Sequence, residues 1–113
     1  MTEQPNSSLP GDLRIHASRD SGQVVLALEG ELDLASAPKL EEELQRAEAE
    51  NPSLLRIDLS GLTFMDSTGM RTLLLAQRRA QEGERRLALR RGPNQVQRVF
   101  ELTGSVDTFA FED

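Results

Sequence analysis

The sequence contains no cysteine, tryptophan or tyrosine and a single histidine among its 113 residues. The lack of cysteine excludes disulfides, thiol nucleophiles and thiolate metal sites. The one histidine, His16, lies far from any serine pattern that it could serve as a base. Nucleophilic serine catalysis needs a nearby base and a group that orients it. We therefore predict that His16 is a surface or rim residue and that the chain has no catalytic residue.

The chain also lacks a basic excess and a long apolar run. Its 13 Lys and Arg residues face 19 Asp and Glu residues, which gives a formal net charge of -6. An acidic chain repels phosphate backbones, so direct nucleic-acid binding is not expected, and a partner with a basic surface fits better. No apolar run approaches the roughly 20 residues that span a bilayer. The first 12 residues hold no apolar core of an export signal, so we expect a cytoplasmic protein without membrane insertion.

Metal and nucleotide sites have little support in the sequence. The run Glu41 to Glu43 points in three directions on a helix, which is typical of a solvated face. No glycine-rich phosphate-binding loop is present, so we expect no cofactor. The arginines that cluster late in the chain are interpreted as a solvated rim, with an anion site as the alternative. They are Arg78, Arg79, Arg85, Arg86, Arg90 and Arg91.

The length predicts one domain, and the order of patterns predicts its class. Residues 1–12 are polar and rich in turn residues, which predicts a flexible tail before a domain over residues 13–113. Alternating and helical apolar periods then follow in the order β-β-α-β-α-β-α-β, which indicates an α/β fold with a mixed sheet and helices mainly on one face. The expected elements are strands at 13–17, 23–29, 54–59, 86–90 and 106–111, a loop at 30–33, a helix capped by Ser36, a helix from Ser67 to near Gly83, and a short helix after 92–94.

The stretch from Asp58 to Gly69 joins the end of an apolar strand to the start of an apolar helix. Asp66 is placed to cap that helix, and Ser67 falls in its first turn with an accessible hydroxyl. A phosphate on Ser67 would be favoured there by the helix dipole. An ordinary helix cap explains the same Asp-Ser-Thr-Gly tetrapeptide, so this pattern alone leaves both interpretations open.

Two blocks together resemble the STAS domain family, and in particular the bacterial anti-sigma factor antagonists. The first is the turn Gly30-Glu31-Leu32-Asp33, and the second runs from Asp58-Leu59-Ser60 through Phe64-Met65-Asp66-Ser67-Thr68-Gly69. The resemblance covers residues 13–111. It departs at Arg71, where family members often carry a second glycine.

The resemblance implies a non-enzymatic switch that acts through protein binding. The unphosphorylated form would bind a cognate anti-sigma factor with serine kinase activity, a GHKL-type ATPase, and so release the sigma factor. Phosphorylation of Ser67 would end that binding, and a PP2C-type phosphatase would reset it. ATP would belong to the kinase, so no cofactor or metal is implied for this chain. The implied partner-binding residues are Gly30, Glu31, Asp33, Asp66, Ser67, Thr68, Gly69 and Arg71.

Two other functions fit the same residues. The chain could be a STAS scaffold subunit of a lipid-transport or signalling assembly, in which Ser67 is never phosphorylated. It could also be a hydrolase that uses Ser67 with a distant base. Partner identity separates the first from the switch, and labelling by serine-reactive phosphonates would reveal the second.

Overall fold

Residues 12–112 form five β-strands and three α-helices in the computed structural model, which describes that part of the chain. The predicted order of elements is confirmed, with one added 3-10 turn before the last strand. The tail predicted for residues 1–12 lies outside the described residues except for Asp12, so it stays a prediction. The elements are β1 Leu13–Asp20, β2 Gln23–Leu32, α1 Ala37–Glu48, β3 Leu54–Met65, α2 Ser67–Glu82, β4 Arg86–Arg90, α3 Asn94–Leu102, the turn Val106–Thr108 and β5 Ala110–Glu112.

The strands form one mixed sheet in the order β1-β2-β3-β4-β5. β1 pairs antiparallel with β2, and each later strand pairs parallel with the one before it. Each helical crossover advances by one strand in the same direction. Right-handed crossovers of that kind place α1, α2 and α3 on the same face of the sheet, as predicted.

The core lies between the sheet and these helices. Leu26, Ile57 and Leu89 enter it from the central strands, and Leu44 and Phe100 enter from the helices, all with essentially no exposed surface. Full burial of such side chains contributes roughly 1.5–3 kcal/mol each. The opposite face of the sheet is polar in part, and there Arg56 on β3 contacts Glu112 on β5 at 2.6 Å.

The two strands that lead to the site are longer than the sequence predicted. The expected loop at Gly30–Asp33 is wrong for its first three residues, because β2 continues to Leu32. Gly30 adopts φ +106° beside a register shift, and this bulge bends the strand without ending its pairing. β3 likewise continues past Leu59 to Met65, so that Leu32 and Met65 are paired.

Three smaller predictions also need correction. Ser36 stands at the start of α1, but its hydroxyl donates to the Glu31 carbonyl (2.8 Å) and caps no helix N–H. The last strand is only Ala110–Glu112, because the residues before it form a 3-10 turn. Arg79 is not a solvated residue, since it joins α2 to Glu48 at 3.0 Å and to Glu41 at 3.1 Å on α1.

These ion pairs also affect proton affinity. Burial opposes the charge of Arg79, but the two carboxylates outweigh it, so the pKa of Arg79 is raised. His16, by contrast, is exposed on β1 with its Nε2 3.5 Å from Glu29, which confirms the predicted surface position.

Candidate functional site

The start of α2 is built around the carboxylate of Asp66, as the sequence predicted. Asp66 has extended backbone angles, and its Oδ1 accepts hydrogen bonds from the N–H groups of Thr68 (2.9 Å) and Gly69 (3.0 Å). Ser67, the first residue of the helix, is exposed, while Asp66 is half-buried. The cap therefore fixes the helix start and leaves the Ser67 side chain at the surface.

The end of β2 lies directly against this helix start. The N–H of Asp66 donates to the carbonyl of Leu32 at 3.2 Å. Gly69 is buried over the Leu32 side chain, and a Cβ built on Gly69 would lie 2.6 Å from Leu32 Cγ. Glycine at position 69 thus allows the helix to approach the strand, and the two sequence blocks come together in space.

Asp33 shapes the loop between β2 and α1. Its Oδ1 accepts from the N–H groups of Ala35 (3.0 Å) and Ser36 (3.1 Å), and its carbonyl accepts from the N–H of Ala37 (2.8 Å). Asp33 therefore satisfies backbone donors before α1, the task the sequence analysis gave to Ser36. The loop then holds Leu34 outward, with 73% of its surface exposed.

A groove of about 830 Å³ lies between this loop and the end of β3. Its apolar part includes Leu34 and Phe64, and Phe64 is 46% exposed. Isolated apolar side chains on a surface are normal, but two that share one concave patch are typical of a binding site. The groove, hereafter the acidic groove, is lined by Glu31, Asp33, Leu34, Ala35, Thr63, Phe64 and Asp66.

The apolar half of this groove was not predicted from the sequence. A signal existed for Phe64, which alternates with the buried Met65 and so points away from the core. Leu34 follows Asp33 in a short connection, where an apolar residue has no core position. Of the predicted residues, Glu31, Asp33 and Asp66 line the acidic groove. Gly30 does not; it lies at the bulge in β2, with its backbone against that of Asp12.

Ser67, Thr68 and Arg71 line a second depression, which shares no lining residue with the acidic groove. This depression, hereafter the serine depression, has a volume of about 440 Å³, and its remaining lining residues are Met70, Leu74, Thr103 and Ser105. Asp66 lines the acidic groove, and the helix that it caps contributes Ser67, Thr68 and Arg71 to the serine depression.

Within residues 12–112 no group of three or more potential ligands is arranged to hold a metal ion. In the same part of the chain, no helix is both long and apolar enough to cross a bilayer. The acidic groove and the helix start offer three half-buried carboxylates, one exposed serine hydroxyl and two exposed apolar side chains.

Comparison with known proteins agrees with this fold. A family model described as "Mlab, STAS domain" matches residues 15–108. The anti-sigma-B factor antagonist of Listeria monocytogenes is 33% identical over 89 residues, which are 79% of this chain and 78% of that protein. The anti-sigma-F factor antagonist RsfB of Mycobacterium tuberculosis is 38% identical over 66 residues, 58% of this chain and 54% of that protein.

A solved structure supports the same assignment. The crystal structure of an anti-sigma factor antagonist from Mycobacterium paratuberculosis matches with a TM-score of 0.85 at 28% identity, covering 93% of this chain and 89% of that one. The chain belongs to the STAS domain family. Its relatives within that family bear the name anti-sigma factor antagonist, so the resemblance drawn from the two sequence blocks is confirmed.

Proposed function

We propose that this protein is an anti-sigma factor antagonist without enzymatic activity, switched by phosphorylation of Ser67 in the cytoplasm. The unphosphorylated form binds an anti-sigma factor that is also a serine kinase of the GHKL type, and the sigma factor is released. A PP2C-type phosphatase reverses the modification. The observation that carries this proposal is the exposed Ser67 hydroxyl at the start of α2, next to a groove that is both acidic and apolar.

The acidic groove defines the chemistry of the partner surface. Its carboxylates, on Glu31, Asp33 and Asp66, require basic groups or water opposite them, and Leu34 and Phe64 offer apolar anchors. The net charge of -6 favours encounter with a basic surface. Docking at this groove brings the kinase against the helix start that carries Ser67.

The transfer step assigns no catalytic role to this chain. The Ser67 hydroxyl oxygen bonds to the γ-phosphorus of ATP held by the kinase, and the bond from that phosphorus to the bridging oxygen breaks. ADP leaves, and the hydroxyl proton passes to a base of the kinase or to water. Ser67 is therefore a substrate, and the nucleotide site belongs to the partner.

The product of this step weakens the complex that made it. Phosphorylation adds about −1.5 to −2 charges on three strong acceptor oxygens. Because Ser67 must lie within bonding reach of the nucleotide, its phosphate then faces the phosphates of ADP across the interface. Like charges held together out of water are strongly unfavourable, and a thousandfold loss of affinity needs only about 4 kcal/mol.

Substitution of Ser67 tests the switch. We expect Ser67→Ala to bind the candidate kinase and to gain no phosphoryl group by intact mass, since the hydroxyl is gone. We expect Ser67→Asp to bind at least about tenfold more weakly, a loss of about 1.4 kcal/mol, as measured by titration calorimetry. Ser18→Asp is the matched control, because Ser18 is an exposed serine on β1, away from the groove.

Equal affinity of wild type and Ser67→Asp would contradict the charge switch. If no GHKL-type kinase of the host modifies Ser67, and the chain is found instead in a membrane-transporter complex, the scaffold function replaces this proposal. Labelling of Ser67 by a serine-reactive phosphonate would favour the hydrolase function instead.

A further inference from the structure

Two of the N–H donors at the start of α2 are already occupied by a negative charge. Asp66 accepts both the Thr68 and the Gly69 N–H through one carboxylate oxygen. The positive end of the helix dipole is thus partly neutralised before any phosphate is added to Ser67. A phosphate on Ser67 would also follow the Asp66 carboxylate directly in sequence and repel it. The helix start alone is therefore a poor counter-charge for this phosphate.

Arg71 lies one turn further along the same helix, four residues after Ser67. Residues at that spacing are neighbours on a helix surface, with about 5–6 Å between their Cβ atoms. Long helical side chains generally point back toward the N-terminus, and Ser67 and Arg71 both line the serine depression. Arg71 is exposed and forms no ion pair with any carboxylate of residues 12–112, which leaves its guanidinium available.

The serine depression contains no other cation. Arg71 is the one charged side chain among its lining residues within the described part of the chain. The Thr103 hydroxyl donates to the Val99 carbonyl at 2.8 Å, and its oxygen contacts the Ser105 hydroxyl at 2.8 Å. These hydroxyls are thus engaged with each other and with the backbone. Neutralisation of a phosphate here therefore falls to Arg71.

We infer that Arg71 is the internal counter-ion of phosphorylated Ser67, with its guanidinium paired to the phosphate oxygens across the serine depression. The inference rests on the proposed function only for the statement that Ser67 is phosphorylated in the cell. Its chemistry is that of an arginine–phosphate pair, which is frequently bidentate and charge-assisted.

The pair has a consequence for the switch. A monocation beside a dianion roughly halves the added charge that a docked partner meets. It also orders the phosphate on the side of Ser67 that faces Thr103, away from the acidic groove. Arg71 thus sets how strongly the phosphorylated form is rejected, and the phosphorylated form keeps a stable helix start despite the adjacent Asp66.

The test uses the full chain with phosphoserine placed at position 67 by genetic code expansion, so that no kinase is needed. Phosphorus NMR follows the phosphate through its second ionisation, near pH 6. In wild type we expect the pKa of the phosphate to be lower than in Arg71→Ala by about 0.3 units or more, as an exposed i,i+4 ion pair supplies. Arg71→Lys should fall between them, since it keeps the charge and loses the bidentate geometry.

Arg78→Ala is the matched control. Arg78 is an exposed arginine on the same helix, 11 residues after Ser67 and so about 16 Å along the axis. That distance exceeds the Debye length of about 10 Å at 0.1 M salt, so its removal should leave the phosphate pKa as in wild type. In 1 M salt, the difference between wild type and Arg71→Ala should shrink.

An unchanged phosphate pKa in Arg71→Ala, or an equal shift in Arg78→Ala, would overturn the inference. The proposed function is tested separately, by partner binding of proteins that carry serine, alanine or aspartate at position 67. A phosphate that pairs with Arg71 in a protein that no kinase modifies would sink the proposed function and keep the pair. If Ser67 variants switch partner binding as proposed but the phosphate pKa is the same in wild type and Arg71→Ala, the proposed function stands and the Arg71 pair is wrong.

Discussion

At the scale of single residues, Asp66 connects stability and function. One of its two carboxylate oxygens, Oδ1, accepts hydrogen bonds from two N–H groups of the first turn of α2. Asp66 also lines the acidic groove. The residue that holds the helix start in place thus also lines the surface that the proposed partner would contact. Changes at Asp66 will alter folding and docking together, and the two effects have to be separated by choosing the replacement.

Asp66→Ala removes the cap and Asp66→Asn keeps an acceptor. We expect Asp66→Ala to lower the free energy of unfolding by about 1–2 kcal/mol, because the N–H groups of Thr68 and Gly69 lose their partner. Asp66→Asn should cost less than half of that, since its side-chain oxygen can still accept. Urea denaturation followed by circular dichroism measures both. If the two variants lose equal stability, the carboxylate charge rather than the hydrogen bonds holds the helix start.

This cap could be predicted from the sequence because it is local. An aspartate followed by Ser-Thr-Gly and an apolar period identifies a helix start within a few residues. The environment of Gly69 could not be predicted in the same way. Its contact with Leu32 joins positions that are far apart in the chain, and only the fold brings them together.

At the scale of elements, the site depends on how closely α2 approaches the end of β2. Gly69 is buried at that approach. In an exposed helix interior, replacing glycine by alanine would stabilise the helix by about 1 kcal/mol. Here the added Cβ would lie 2.6 Å from Leu32 Cγ and 3.1 Å from the Leu32 carbonyl oxygen, so either the helix or the strand has to move.

We therefore expect Gly69→Ala to destabilise the protein by about 1–3 kcal/mol, the usual cost of overpacking. The loss of stability caused by Gly69→Ala should be smaller in a protein that also carries Leu32→Ala, because the clash with the Leu32 side chain is then relieved. A double-mutant cycle of thermal unfolding measures this coupling between positions 69 and 32. Gly83→Ala, at the other end of α2, is the control. Its Cβ would meet mainly the flexible end of Arg85 and should change stability little. A stabilised Gly69→Ala variant would show that this approach is not tight.

The lengths of β2 and β3 illustrate where sequence patterns stop being informative. Glycine is a common turn signal, so Gly30 predicts a loop at this position. In the fold the same glycine permits a bulge with φ +106°, and pairing resumes until Leu32 meets Met65. The pairing partner on β3 decides between a turn and a bulge, and a single sequence does not show which partner a strand will have.

At the scale of the whole molecule, the topology could be predicted and the surface ion pairs could not. Alternating strand and helix periods constrain the crossovers, since parallel neighbours need right-handed connections on one face. The pair of Arg56 and Glu112 joins β3 to β5 across β4, and its members are 56 positions apart in the sequence. Arg19 and Glu50 similarly link the end of β1 to the end of α1. The partners of such pairs are distant in the sequence, and only the folded sheet brings them together.

These pairs predict how the whole molecule responds to acid. Hydrogen bonds from Arg56, Arg19 and Arg14 hold the pKa values of Glu112, Glu50 and Glu29 below their ordinary range. A carboxyl whose pKa is lowered on folding stabilises the protein above the unfolded pKa, and that stability is lost as pH falls through the folded pKa. We expect the free energy of unfolding to fall as the pH drops below about 4.5, and to fall less steeply in 1 M salt.

The contribution of the Arg56–Glu112 pair to the free energy of unfolding can be isolated with Glu112→Gln, which preserves the shape of the side chain and removes its charge. The side chains of Arg56 and Glu112 are 30% and 38% exposed and open to solvent screening, so removal of the pair should cost about 0.5 kcal/mol or less near pH 7. Its effect should vanish at pH values where wild-type Glu112 is protonated, so the two stability curves converge in acid. Glu82 is an exposed residue on α2 that forms no ion pair within residues 12–112, so the stability of Glu82→Gln should change with pH in parallel with that of wild type. Urea unfolding at a series of pH values measures all three proteins, and a constant offset between Glu112→Gln and wild type would contradict an electrostatic role for the pair.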